Sequence, residues 1–335
     1  FSLKWHYRSQ SESLIAFSEK NFYSADGLIY FPSSSQDEHR GVHFQFVENG
    51  AFDQKQGNPV EAKAIARLVE QELPYLQQHD QTLGIITFGQ PQEQAIRREI
   101  DALSRTNLEL ERFCQEESNK FFVKPLEHVQ GNEADVIFIS FGYGRNAEGE
   151  FSKSFGFLNR QDTGRRRLNV SITRARYKLV LVASIRSADL VQTTAPNMEL
   201  EIIRRYFAYA ESNGQSLEQQ NYETFRSLSL LEEDIYHVLL DRGYVVEKQI
   251  GRSKFPISLA VKAKPDSDRF LLGIECDGVN YSQYDTARDR DRLRRKVLTD
   301  LGWNIHQIWS CDWYRDRDNQ INQLVTRIEN LLRQH

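Results

Sequence analysis

Two groups of residues in this chain of 335 have types and spacings that could do chemistry. The first is the stretch 165–176, reading RRRLNVSITRAR. Read as a helix, its apolar positions Leu168, Val170, Ile172 and Ala175 bury against a sheet and hold Arg174 at a fixed place. A guanidinium fixed in this way can neutralise charge that develops on a γ-phosphate. On its own the stretch reads equally as a basic surface helix. The second group is Glu275 and Asp277, two apart in RFLLGIECD. On a strand both side chains leave the same face, and two such carboxylates repel unless a cation lies between them. That spacing makes the pair a magnesium candidate, the alternative being exposed acids at a strand end before a turn at Gly278.

A third cluster, TARDRDRLRRKVL at 286–298, carries Arg288, Arg292 and Arg295. As a helix it can pair these arginines with Asp285 and Asp289 on a solvated face, or present them to phosphates. Trp303, Trp309 and Trp313 read as core and interface packing rather than base-stacking platforms.

The elements that must position these groups follow from periodicity. Ser11 caps a helix over Leu14–Phe22, and β-like runs lie at 28–32 and 42–47. An amphipathic helix spans 59–78, a nearly continuous apolar strand 82–88, and a further helix 91–106. Buried strands at 135–143 and 178–184 flank the arginine helix, and a helix at 197–211 closes the first domain. Alternating strands and helices make an α/β layered domain with a mostly parallel sheet. Ligands are expected at the carboxyl ends of its strands. The polar stretch from 212, with Gly214, reads as a linker. After it come a helix from Ser229 to the Gly243 cap, strands at 245–250, 255–263 and 269–277, and a charged helix at 284–301. A strand at 304–310 and a terminal helix from 312 complete the chain.

Composition bounds the rest. With 39% hydrophobic and 27% charged residues the chain is that of a globular protein with room for two cores. The net charge of −4 gives no global basic field, so any nucleic-acid surface must be local. No apolar run reaches the roughly 20 residues a membrane span needs, and the first residues lack a signal peptide. The 3 cysteines form no CxxC pair, so neither a disulfide framework nor a zinc site is expected. A cytoplasmic protein without a membrane partner is the expectation. The opening on Phe1, mid-pattern, suggests a piece of something longer.

The segments WHYRS (5–9), GIITFGQPQEQ (84–94), HVQGNEADVIFIS (128–140) and RRLNVSITRAR (166–176) resemble, in order, the motifs of the second RecA-like lobe of superfamily 1 helicases. The likeness is greatest to the branch that includes the nonsense-mediated-decay helicase. It implies that Arg8 and Arg174 reach the γ-phosphate of ATP and that Glu133 lies near the ribose. It further implies that Gln130 couples nucleotide state to strand movement, with Gly131 in the same nucleotide loop, and that Gln94 lies near the nucleic-acid track. The chain contains no GxxxxGK[ST] loop, so the resemblance implies an upstream first lobe as partner in ATP binding.

Segments 229–251, 255–261, 271–281, 286–298 and 302–313 resemble a Vsr-like nuclease domain of the PD-(D/E)xK superfamily, often fused to such helicases. The resemblance implies Glu232, Glu275 and Asp277 as catalytic residues, the last two as Mg²⁺ ligands, with Gln249 before the hairpin. It implies phosphodiester hydrolysis by a metal-activated water. Two positions depart from the family: Ser258 stands where an aspartate ligand is expected, and Ser282 where a histidine is. Lys262 shares a strand face with Ser258 but does not replace a carboxylate.

The expected architecture is a RecA-like parallel-sheet domain at 1–212, a linker at 213–228, and a smaller restriction-endonuclease-like α/β domain at 229–335. The expected function is part of an ATP-dependent helicase or translocase with a tethered, impaired nuclease, binding DNA rather than RNA and serving antiphage defence or genome surveillance. The alternative is a non-catalytic nucleic-acid-binding or docking module.

Overall fold

The computed structural model describes residues 5–23, 27–35, 38–115, 120–160, 163–192, 197–217, 228–253, 256–277 and 292–334. The chain divides into two compact units. One comprises 13–24 and 39–217, the other 1–12, 25–38 and 218–335.

In the larger unit the elements run α1 (Ser13–Ser18), β1 (Gly41–Phe46), α2 (Pro59–Gln78), β2 (Leu83–Thr87), α3 (Gln90–Ser104), α4 (Leu108–Gln115), β3 (Phe121–Pro125), β4 (Ala134–Ser140), α5 (Thr163–Ile172), β5 (Ala175–Ala183) and α6 (Met198–Glu211). The strands form one parallel sheet in the order β1-β5-β4-β2-β3. Alternate residues feed opposite faces. Ile137, Ile139, Leu179 and Leu181 pack with α1, α5 and α6. Val136, Phe138, Val180 and Val182 pack with α2, α3 and α4. Burial on both faces is why these strands read as continuous apolar runs. Helix α2 is set at its start by Asn58, whose side chain accepts from Glu61 N, and by Pro59 in the first turn; proline's fixed φ and missing N–H suit that position.

Three expectations for the first domain change. The stretch 165–176 is not one helix: α5 ends at Ile172, Arg174 lies in the connection, and Ala175 and Arg176 open β5. The carboxyl-terminal half of the unit's α/β alternation holds, but 121–125, unread in the sequence, adds an edge strand. The expected strand at 28–32 reduces to a single bridge between Trp5 and Ile29, and it belongs to the smaller unit.

The smaller unit continues with α7 (Leu230–Leu240), β6 (Val245–Ile250), β7 (Ile257–Lys262), β8 (Phe270–Cys276), α8 (Arg294–Asp300), β9 (Ile305–Ile308), α9 (Ser310–Arg315) and α10 (Arg317–Leu332). Its sheet runs β6-β7-β8-β9, with β6, β7 and β8 antiparallel and β9 parallel to β8. One face packs on α7 and α10, the other on α8. Residues 5–12 and 27–35, which the sequence placed in the first domain, pack here for a visible reason. Phe31 joins the core with Ile257, Val297 and Trp303, Trp303 Nε1 donates to Pro32 O at 2.8 Å, and Phe270 N donates to Ser34 O at 2.9 Å. The terminal helix is broken at Asp316, which caps α10 through Asn319 N. Trp303 and Trp313 are core, as expected, whereas Trp309 is exposed. Among the described residues no helix is long and apolar enough to cross a membrane, and Cys114, Cys276 and Cys311 are free thiols.

Candidate nucleotide and nucleic-acid edges

The candidate residues of the larger unit fall on two opposite edges of its sheet. At the amino-terminal edge, Gln130, Gly131 and Glu133 precede β4 and Arg174 precedes β5. The two connections are tied together by Ala134 N donating to Arg174 O at 3.2 Å. The Arg174 guanidinium rests on the last turn of α5, its Nε donating to Val170 O at 2.8 Å and a terminal nitrogen to Thr173 Oγ1 at 3.1 Å. Orphan carbonyls at a helix end accept such donors readily. Gly131 has φ +87°, and a Cβ there would meet nothing within 4 Å, so the backbone is open to a ligand. Gln130 and Glu133 are exposed. An open cleft of about 870 Å³ borders this edge, lined among others by Arg97, Phe122, Lys124, Gly131 and Glu133. A fixed guanidinium and a glycine turn offer donors, and the exposed side chains both donors and acceptors, of the kinds a nucleotide pairs with. Arg8, assigned to the same phosphate by resemblance, is half-buried in the smaller unit. It lies near His6, whose pKa burial and the Arg8 charge lower to about 4.

These candidate residues lie at the amino-terminal edge, whereas the expectation put ligands at the carboxyl ends of the strands. At that end lies a different group, which sequence reasoning missed. Gln92 is the hub: Asn58 N donates to its Oε1 at 2.6 Å, and its Nε2 donates to Ser140 Oγ at 2.9 Å. Ser140 Oγ donates to Glu61 Oε1 at 2.6 Å, as does Gly142 N at 2.8 Å. Asn58 Nδ2 donates to Ser184 Oγ at 2.8 Å, which in turn donates to Glu61 Oε2 at 3.3 Å. Glu61 is 0% exposed. Burial raises its pKa to about 7 against the opposing effect of these hydrogen bonds. The network clamps the ends of β2, β4 and β5 to the start of α2. Gln94 is exposed two residues beyond Gln92 on α3. The signal for Glu61 was present: it falls on the buried stripe with Ala62, Ile65 and Val69, an acid where an apolar residue is expected.

In the smaller unit, each candidate carboxylate already has a partner. Glu232 closes a capping box: Ser229 N and Oγ donate to its Oε2 at 2.6 and 2.9 Å. Asp277 accepts from Ser310 N and Ser310 Oγ, both at 2.7 Å. Glu275 Oε1 accepts from Arg294 Nε at 2.7 Å and also from a terminal nitrogen of that guanidinium. Arg294 is only 5% exposed. Sequence reasoning had singled out Arg288, Arg292 and Arg295 instead. Arg292 and Arg295 are exposed, and Arg288, like Ser282, lies outside the described residues. Gln249 is in the left-handed region at φ +54°, and its two amide atoms are buried without a partner. Among the described residues no group of three or more His, Cys, Asp or Glu is placed to hold a metal ion. Among the described residues the donor set therefore does not fit Mg²⁺, which demands several oxygen ligands in near-octahedral array.

Residues 1–186 match the model of the AAA domain family AAA_12, and residues 231–328 match that of the restriction-endonuclease-like family REase_MTES_1575. An uncharacterised ATP-dependent helicase of Mycoplasma genitalium is 27% identical over 326 residues, and its homologue in Mycoplasma pneumoniae 25% identical over 328. Each alignment covers 93% of this chain but 28% of the relative, so the chain spans little more than a quarter of their length. The crystal structure of the C-terminal domain of a possible DNA helicase from Lactobacillus plantarum aligns over 53% of this chain and 86% of its own, with 18% identity and a TM-score of 0.27. A superposition that poor carries no structural argument.

Proposed function

This chain belongs to the AAA domain family, and on that footing we propose that it is the second RecA-like lobe of an ATP-driven DNA helicase or translocase. A first lobe of the same protein completes the nucleotide site, and the restriction-endonuclease-like unit travels with the motor. The observation that supports this most is the separation of candidate groups onto two edges of one parallel sheet: Arg174, Gly131 and Glu133 at one, the Gln92–Glu61 clamp and Gln94 at the other.

ATP supplies the phosphoanhydride whose hydrolysis drives movement. Toward it, Arg174 offers a planar fork that pairs with phosphate oxygens, pre-oriented by its bonds to Val170 and Thr173; such an arginine stabilises charge without moving. Gly131 lets the backbone approach, and Glu133 accepts from hydroxyl groups. Gln130, one residue before that glycine, is the coupling residue. The nucleic acid lies across the opposite edge, near Gln94, where the clamp keeps the loop after β2 in place. Strands of five to nine residues at about 3.3 Å per residue form the rigid connection between the edges. The cellular role we assign is antiphage defence or genome surveillance, in keeping with a motor joined to a nuclease fold.

The test is DNA-stimulated ATP turnover by the intact protein. Replacing an arginine of this kind lowers turnover by about a thousandfold or more, so Arg174→Ala falls by that order. Arg174→Lys recovers little, because a lysine lacks the fork. Turnover by Arg174→Ala at the wild-type rate contradicts the assignment. DNA binding that is salt-sensitive yet indifferent to ATP favours the second reading, a non-catalytic nucleic-acid-binding module.

A further inference from the structure

At Glu275 the smaller unit carries its own neutralising group, the Arg294 guanidinium. Register places Leu259 of β7 opposite Ile274 of β8, so the next position along sets Ser258 opposite Glu275. Strand alternation puts Ser258 with Ala260, on the face that packs against Val297 and Leu298 of α8. Arg294 opens α8, and its guanidinium meets this spot. It holds Glu275 Oε1 by two donors and Pro256 O by a third at 3.1 Å, and it lies 5.0 Å from the Phe31 ring. A carboxylate at 258 would set two negative charges across one strand pair, which a divalent cation neutralises. With serine there, Glu275 faces no second carboxylate across this strand pair, and the Arg294 guanidinium neutralises it. Asp277 is likewise satisfied, with both oxygens on Ser310. A cation at Glu275 Oε1 would have to displace the Arg294 guanidinium, which is 5% exposed and costly to leave buried without its carboxylate.

We infer that Arg294 has taken over the charge-neutralising role of the cation in this fold, making the Glu275–Arg294 pair a permanent internal salt bridge and the unit a nuclease scaffold that binds no catalytic metal. The inference rests on reading the unit as restriction-endonuclease-like. Arg294 is here a structural residue that locks β8 to α8, and the uncharged Ser258 adds no second carboxylate to the lock.

The experiment is a thermal-melting series on the full chain with and without millimolar Mn²⁺, followed by calorimetric titration of Mn²⁺. The wild-type protein melts at the same temperature in both conditions and shows no binding heat. Glu275→Gln and Arg294→Met each lower Tm by several degrees, and the double variant lowers it by less than their sum, since each partner is costly only when the other is left unpaired. Ser258→Asp combined with Arg294→Met gains a Mn²⁺-dependent rise in Tm. If that variant does not fold, the wild-type titration and the Glu275/Arg294 cycle still decide. Mn²⁺ binding by the wild type that Glu275→Gln abolishes overturns the inference while leaving the nuclease-fold reading intact. Additive, uncoupled effects of Glu275→Gln and Arg294→Met overturn the placement of the pair itself.

Discussion

Glu61 in the larger unit and Arg294 in the smaller are buried charged residues at helix positions whose neighbours are apolar, and each is held by several partners. Glu61 titrates. Its pKa is about 7 in the folded protein against 4.5 unperturbed, so between those values the folded state keeps a proton that the unfolded state has lost. Its contribution to stability therefore falls as pH rises from 4.5 towards 7 and is level above. Glu61→Gln keeps the neutral shape, so the drop in Tm between pH 5 and pH 7 should be shallower than in the wild type. An unchanged slope would mean that the carboxyl is ionised throughout. At Ser229 the capping box gives a simpler expectation. Ser229→Ala should cost about 1 kcal/mol, read as a lower denaturation midpoint, and Glu232→Ala should do the same or worse because it also empties a buried position. Both buried charges were legible as exceptions to a helical apolar stripe: Arg294 with Val297, Leu298 and Leu301, and Glu61 with Ala62 and Ile65. Periodicity marked the exceptions but not their partners, because Ser140, Ser184 and Glu275 come together only through strand order.

At the scale of elements, the sequence predicts α2 to the residue, since Asn58, Pro59 and the apolar stripe agree. The stretch 165–176 shows where such reading stops. Leu168 and Ile172 keep helical spacing, while Ala175, Leu179 and Leu181 keep strand alternation, and Arg174 lies where the two periods meet. A single window over both periods reads as one helix. The edge strand β3 was invisible for another reason: five residues that include Lys124 and Pro125, bonded on one side only, leave too short and too mixed a pattern. The run at 28–32 was apolar because Tyr30 and Phe31 are buried, not because it pairs in a sheet. For the central strands the expectation is direct. Leu181→Asp or Ile139→Asp places a charge in a layer covered on both faces and should abolish cooperative folding of the larger unit. Unchanged melting of either variant would refute the three-layer packing.

For the whole molecule, the family order of the motifs made the larger unit's architecture legible, while the two-edge arrangement was not. Parallel topology decides which loops share an edge. The loops before β4 and β5 meet at one end, and those after β2, β4 and β5 meet at the other. The proposed function places nucleotide chemistry and strand contact at these opposite ends of the same strands. The most direct test is to measure ATP turnover and single-stranded DNA affinity side by side in the intact protein carrying Arg174→Ala or Gln94→Ala. A crossed pattern is predicted: Arg174→Ala loses turnover and keeps DNA affinity, whereas Gln94→Ala weakens DNA binding and keeps basal turnover. If Arg174→Ala weakens DNA binding as much as turnover, or Gln94→Ala abolishes basal turnover, the two edges do not carry separate functions.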